Sequence, residues 1–80
     1  MGKQELIEKV NEVLAEEFEV EVTDIIPEGN IKETLELDSL SLVDMVALIE
    51  STFGVKIKSN EVGTILTFDS LYDFIHERLN

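Results

Sequence analysis

The chain has 80 residues, a net charge of -12 from 18 acidic and 6 basic side chains, and no cysteine. This length fits one domain, residues 1–80, with a small core. The acidic excess argues against nucleic acid and anionic lipid as partners, because both bind basic groups, and it favours proteins with basic surfaces. Without a transmembrane-length apolar run, a signal-peptide pattern or a disulfide framework, we expect a cytoplasmic monomer with no membrane insertion.

The first predicted element is a helix over Lys3–Phe18. Its apolar residues recur every three or four positions and trace one face, with acidic residues opposite. Residues 19–37 lose this period and contain Pro27, Gly29 and Asn30, which are typical of turns. We expect a long loop whose isolated apolar residues pin it to the core. Loops of this length are unusual and often functional.

A second helix is predicted from about Ser39 to Phe53, ending at Gly54, since glycine readily adopts the left-handed conformation that closes helices. Its start has two interpretations. Asp38 can be the N-cap, or a capping box over residues 41–44 can shift the first turn by about three residues. Both interpretations leave Ser39 at the N-terminal end of the helix.

The rest of the chain predicts an extended connector over residues 55–58, a short third helix from Ser59 to about Ile65, and a last helix capped by Thr67 or Asp69. The last helix holds its period to Leu79. The predicted fold is therefore all-α: a four-helix bundle with three main helices and one short third helix.

The second helix carries two apolar stripes. The wider one is predicted to face the core and consists of Leu42, Met45, Val46, Ile49 and Phe53. The other, formed by Leu40, Val43 and Ala47, lies on roughly the opposite side together with Asp44, Glu50 and Ser51. An apolar strip ringed by carboxylates suits a partner with an apolar groove edged by Arg or Lys. The alternative is that the long loop or the third helix covers this stripe.

Ser39 has two interpretations from its position alone. It can be simply the N-cap of the helix, or it can carry a phosphate that the unpaired amides and the positive end of the helix dipole would stabilise. A catalytic serine is disfavoured, because the sole histidine, His76, lies near the end of the last helix and no Gly-x-Ser-x-Gly elbow is present. We therefore predict a protein that is not an enzyme.

A metal site is also not predicted. The sequence has no His or Cys cluster and no P-loop. An EF-hand loop starting at Asp24 would place Gly29 at its sixth position, but Ile26 and Leu35 would stand where oxygen ligands are required.

Taken together, the acidic first helix, the long loop, LDSL at 37–40, FGVKI at 53–57 and the two later helices resemble an acyl carrier protein over nearly the whole chain. The resemblance implies that a phosphopantetheinyl transferase attaches 4'-phosphopantetheine from coenzyme A to Ser39, flanked by Asp38 and Leu40. The thiol of this group would carry acyl chains as thioesters, which is consistent with a chain that has no cysteine.

The resemblance also implies a docking surface and an acyl-chain cavity. Docking would use Asp38, Leu40, Val43, Asp44, Ala47 and Glu50. The cavity would be lined by Leu42, Val46, Ile49, Phe53, Ile57 and Ile65. The implied partners are acyl-processing enzymes with basic docking surfaces: ketoacyl synthase, acyltransferase, reductases and an acyl-activating ligase.

The pathway stays open between fatty acid synthesis and polyketide or other specialised acyl synthesis. Ser51 and Thr52 stand where fatty-acid carriers commonly have further acidic residues, and residues 60–63 make a less acidic third helix than is usual. Two alternatives remain. One is a peptidyl or D-alanyl carrier, which shares the modified serine; the other is a non-acylated helical interaction module in which Ser39 is only a cap.

Overall fold

The computed structural model describes residues 2–79, except for the side chain of Ser59. Five α-helices follow one another along the chain, with one 3₁₀ turn over Val22–Asp24. The helices are α1 (Lys3–Phe18), α2 (Ile31–Leu35), α3 (Ser39–Phe53), α4 (Ser59–Val62) and α5 (Phe68–Leu79). The all-α class with three long helices is confirmed, and α1 and α3 have the predicted bounds.

The centre of the core lies between α1 and α5. Leu6, Val10 and Leu14 are fully buried along one face of α1, at the spacing that the sequence predicts for a helix against the core. The matching face of α5 buries Phe68, Leu71, Tyr72 and Ile75. The Tyr72 hydroxyl donates a hydrogen bond to Oδ1 of Asn11, so the polar end of the largest buried side chain is satisfied.

Residues 19–37 contain more regular structure than the predicted loop. Asn30 caps α2 by accepting a hydrogen bond from the Glu33 amide at 3.0 Å, and α2 buries Ile31 and Leu35. Glu36 ends the helix in the left-handed conformation, with φ of 53°. A helix of five residues is too short to show a hydrophobic period, which is why the sequence pattern missed it.

This segment is tied to the start of α5 by three backbone hydrogen bonds. The amide of Ile31 donates to Leu66, that of Phe68 to Gly29 at 3.2 Å, and that of Asp69 to Pro27 at 2.8 Å. Gly29 suits the tight turn after Ile26, because a Cβ on it would lie 3.0 Å from the Ile26 side chain and 3.1 Å from the Ile26 carbonyl oxygen, closer than ordinary van der Waals contact. The segment that leads into α3 is therefore anchored to the core.

The last two helices differ in detail from the prediction. The short third helix, α4, ends at Val62 instead of Ile65, and residues 63–64 form a turn. The cap of α5 is Thr67 and not Asp69, because Thr67 Oγ1 accepts from the Ser70 amide at 3.2 Å while Ser70 Oγ accepts from the Thr67 amide at 3.1 Å. Within residues 2–79, none of the helices has the length and apolar character needed to span a bilayer.

Candidate functional site

Ser39 is the first residue of α3, and its side chain is exposed. Asp38 precedes it in an extended conformation, and its carboxylate accepts a hydrogen bond from the Ser41 amide at 2.8 Å. The Asp38 carbonyl accepts from the Leu42 amide at 2.9 Å and so closes the first helical turn. The Asp38 cap is therefore the correct one of the two predicted starts, and the capping box over residues 41–44 is not used. Ser39 is the first helical residue, so the interpretation of Ser39 as the cap is wrong.

The Asp38 carboxylate is held in its charged form. Hydrogen bonding from the backbone amide of Ser41, with a further contribution from the Ser41 side chain, lowers the pKa of Asp38 below its usual value. The ionised carboxylate also lies at the positive end of the α3 dipole, where a negative charge is favoured. The cap is thus complete at neutral pH.

The start of α3 fits a phosphate-linked group on Ser39. The hydroxyl lies at the N-terminus of a 15-residue helix and is open to solvent. Amide groups in the first turn of a helix have no carbonyl partner within the helix, and together with the dipole they stabilise a phosphodiester. Ser39 therefore combines accessibility to a second protein with a favourable electrostatic environment.

An apolar strip follows Ser39 along the outside of α3. We call Leu40, Val43 and Ala47 the α3 strip; Leu40 is 77% exposed and Val43 is 64% exposed, and Ala47 is exposed as well. Asp44 is exposed on the same helix. Because the strip is solvent-accessible within the described residues 2–79, the alternative that the 19–37 segment or α4 covers it is wrong.

The inward side of α3 is less deeply buried than predicted. Met45 and Ile49 are buried, whereas Leu42, Val46 and Phe53 are only half-buried. For Leu42 and Val46 the reason is an apolar cavity of about 250 Å³ beside the helix. Its walls are formed by Leu42, Val43, Val46, Ile57 and Val62.

A second cavity of about 270 Å³ adjoins the first, because Leu42 and Val62 border both. Ile65 lines this second cavity. Four of the six predicted cavity residues thus border one of the two spaces. The other two, Ile49 and Phe53, are fully buried and half-buried respectively, and neither borders these spaces among the described residues.

Glu50 has a contact that sequence reasoning missed. Its side chain is half-buried, and Oε2 accepts a hydrogen bond from the Ile57 amide at 2.8 Å. The pattern placed Glu50 on the docking surface with Asp44, and no local signal distinguishes the two acids. Only the path of the chain after Gly54 brings the Ile57 amide to this carboxylate.

The comparisons with known proteins all indicate the same family. The family model described as "Phosphopantetheine attachment site" matches residues 8–75. The chain is 32% identical over 77 residues to the acyl carrier protein of Rubrobacter xylanophilus, covering 96% of this chain and 95% of that protein. It is 35% identical over 80 residues to the acyl carrier protein of Petrotoga mobilis, covering 100% of this chain and 94% of that protein.

The fold is similar to those of solved acyl carrier proteins. The structure from Enterococcus faecalis superposes with a TM-score of 0.80 at 28% identity, covering 98% of this chain and 99% of that one. The structure from Thermotoga maritima superposes with a TM-score of 0.79 at 27% identity, covering 96% of this chain and 89% of that one. The chain therefore belongs to the acyl carrier protein family, and it carries acyl groups on a phosphopantetheine prosthetic group.

Proposed function

We propose that Ser39 is the residue that bears the 4'-phosphopantetheine group. The observation that carries this proposal is the position of Ser39, exposed at the first residue of α3 and directly before the exposed α3 strip. A transferase that docks on the strip would meet the Ser39 hydroxyl at once. The prosthetic group supplies a thiol that forms thioesters, which the chain itself lacks because it contains no cysteine.

In this function the protein positions its cargo and does not catalyse. Asp38 keeps the first turn of α3 formed, so the Ser39 oxygen projects from a rigid helix end. Tethering raises the effective concentration of an acyl group in the active site of each docked enzyme. A carrier of this kind acts as a cosubstrate for separate synthase enzymes.

The α3 strip and its carboxylates form the proposed docking surface. Leu40, Val43 and Ala47 would supply apolar contact, and Asp38, Asp44 and Glu50 would supply negative charge. Charges of this kind mainly set orientation and association rate, while the apolar contacts contribute most of the affinity. The partners would be the transferase, ketoacyl synthase, acyltransferase, reductases and an acyl-activating ligase, each with a basic surface.

The two adjoining cavities are the proposed shelter for the acyl chain. Leu42, Val46, Ile57 and Ile65 would contact the cargo, with Ile49 and Phe53 packing behind them. The support for this is that the cavity walls beside α3 are largely apolar and partly open to solvent. Residues 1–80 would act as one cytoplasmic carrier domain.

Intact-mass measurement tests the role of Ser39. The purified protein is incubated with coenzyme A and a phosphopantetheinyl transferase of broad specificity. We expect the wild type to gain the mass of one phosphopantetheine group and Ser39→Ala to gain nothing. Ser41→Ala is the matched control, because it removes a neighbouring hydroxyl from the same turn, and it should be modified fully. Modification of Ser39→Ala, or none of the wild type, would refute the assignment.

A further inference from the structure

The two adjoining cavities beside α3 differ in the chemistry of their walls. The described residues that border the cavity of about 250 Å³ all have hydrocarbon side chains: Leu42, Val43, Val46, Ile57 and Val62. The second cavity, of about 270 Å³, shares Leu42 and Val62 but is also bordered by Asn30 and Lys32. A cargo made only of hydrocarbon forms no hydrogen bond with either polar residue. The second cavity therefore offers contacts that a saturated acyl chain does not use.

The two polar residues bring hydrogen-bond donors to the second cavity. The Asn30 side-chain oxygen already accepts from the Glu33 amide at 3.0 Å, so the N–H groups of the carboxamide are its remaining polar atoms. The Lys32 ammonium has three donors and no acceptor. Within the described residues 2–79 it forms no ion pair, since the two ion pairs there use Lys3 and Arg78.

The backbone acceptors around this cavity are already engaged. Four of the bordering residues have a carbonyl oxygen that accepts a backbone hydrogen bond, namely Asn30, Lys32, Val62 and Leu66. The unused hydrogen-bonding capacity is therefore mainly that of donors. It matches a ligand that presents an acceptor oxygen, because such an oxygen loses its water on entry and needs a donor in exchange.

The second cavity lies close to the proposed attachment site. Leu42 borders the cavity and follows Ser39 by three residues, about 4.5 Å along the helix axis. Residues at this spacing are neighbours on a helix surface. A group tethered to the Ser39 oxygen therefore starts within one helical turn of the cavity wall.

We propose that the second cavity is a subsite for the keto oxygen of an oxygenated acyl chain, with Lys32 and Asn30 as donors. The class of cargo is then an acyl group that retains a carbonyl along its chain, in place of a fully reduced one. The bond from the Lys32 ammonium is charge-assisted and is the stronger of the two. A carboxylate on the cargo is a poorer match, because the net charge of -12 repels it. This inference rests on the proposed carrier function of Ser39.

A matched pair of cargoes tests the subsite. A transferase of broad specificity loads Ser39 from hexanoyl-coenzyme A or from 5-oxohexanoyl-coenzyme A, two acyl groups of equal length that differ by a keto oxygen. In a shelter without donors, the keto group would lose its water without replacement, and the 5-oxohexanoyl protein would melt at the lower temperature. We expect it to melt roughly 5 °C above the hexanoyl protein, the shift for about one hydrogen bond in a small domain. An equal or lower melting temperature would overturn the proposal.

Variants assign the effect to the two donors. Lys32→Met keeps the side-chain length but removes the donors, so the hexanoyl protein should then melt at the higher temperature. Lys32→Arg keeps a cationic donor and should restore the wild-type order. Asn30→Asp keeps the oxygen that accepts from the Glu33 amide but loses the N–H groups, and it should reduce the difference. Lys9→Met, an equal change at an exposed position of α1, is the control and should keep the wild-type order. The wild-type order in Lys32→Met would contradict the role of Lys32.

A carbon-13 label at the keto carbon reports on the oxygen directly. Hydrogen bonds to a carbonyl oxygen move its carbon resonance to higher frequency. We expect the label on the wild type to resonate at a higher frequency than on Lys32→Met, and Lys32→Arg to follow the wild type. The same frequency in wild type and Lys32→Met would overturn the contact, even where the melting temperatures differ.

The phosphopantetheine arm has amide carbonyls of its own, so the arm without cargo is measured as well. If these carbonyls occupy the subsite, Lys32→Met lowers the melting temperature of the unloaded arm-bearing protein as much as that of the 5-oxohexanoyl protein. That result would overturn the assignment to cargo. Failure of the carrier function differs from both, because the wild type would then gain no mass with either acyl-coenzyme A.

Discussion

Asp38 determines where α3 begins and therefore where Ser39 lies. Its carboxylate accepts from the Ser41 amide and its carbonyl from the Leu42 amide, so a single residue provides the acceptors for two neighbouring amides of the first turn. Without this cap the first turn would fray, and Ser39 would lose its fixed place at the helix end. Asp38 therefore keeps the neighbouring Ser39, the proposed attachment site, in place at the end of the helix.

Replacement of Asp38 by alanine should lower the melting temperature by roughly 5 °C at neutral pH, because the Ser41 amide loses its acceptor. The pKa of Asp38 is lowered by folding, so its contribution is complete above the unfolded value of about 3.9 and is lost as the pH falls through the folded value. Thermal melts of wild type and Asp38→Ala should therefore begin to converge as the pH falls below about 4 and should coincide only below the lowered folded pKa. Asp38→Asn, which keeps a capping oxygen, is the control and should melt near the wild type at pH 7. Equal melting of wild type and Asp38→Ala at neutral pH would contradict the cap's role.

At the scale of the element, α3 differs from α1 and α5 in having apolar residues on two sides. Met45 and Ile49 face the core, while Leu40 and Val43 remain mostly exposed. Exposed apolar residues on a helix contribute little to folding, and contiguous ones mark contact sites for other molecules. The outer side of α3 is therefore available for recognition without loss of the core.

Charge reversal at Asp44 should slow transfer of phosphopantetheine by roughly two- to tenfold, since an attraction for a basic partner becomes a repulsion. The side chain is exposed, so Asp44→Lys should change the melting temperature little. The measurement is the initial rate of mass gain at low and at high salt, and the difference should shrink at high salt because exposed charges are screened.

Glu8→Lys is the matched control on α1 and should react at the wild-type rate at both salt concentrations. If both reversals slow the transferase equally, the effect comes from net charge and not from a docking surface on α3.

Over the whole molecule, the fully buried residues and the apolar cavities lie mostly in different elements. The fully buried residues concentrate in α1 and α5, whereas the apolar cavities border α3, the connector, α4 and α2. A tightly packed helix pair resists change, while elements beside cavities lose fewer contacts when they move. In the proposed function, α1 and α5 would keep the fold while the α3 side takes up the acyl chain.

Tyr72→Phe should lower the free energy of unfolding by about 1 kcal/mol, because the hydroxyl that bonds Asn11 across the α1–α5 contact is lost. Urea denaturation measures this change. The slope of the unfolding free energy against urea concentration should stay the same. The rate of Ser39 modification should stay at the wild-type value, since α3 is untouched. An unchanged unfolding free energy would show that this bond does not stabilise the helix pair. The double mutant with Asn11→Ala then isolates the pairwise contribution.

The sequence by itself determined the long helices, the left-handed end at Gly54, whose φ is 70°, and the place of Ser39 at a helix mouth. These features depend on local chemistry, namely a 3.6-residue period and the side chains that cap helix ends, so neighbouring residues suffice to predict them. The all-α class follows from the same patterns.

Tertiary structure alone decided the remaining features. The five-residue α2 is held by bonds to residues far along the chain, and the exposure of the α3 strip depends on where the 19–37 segment and α4 pack. The half-burial of Leu42 and Val46 and the capture of the Ile57 amide by Glu50 depend on the path of the connector. Burial and contacts between distant residues are properties of packing, and no local pattern of residue types encodes them.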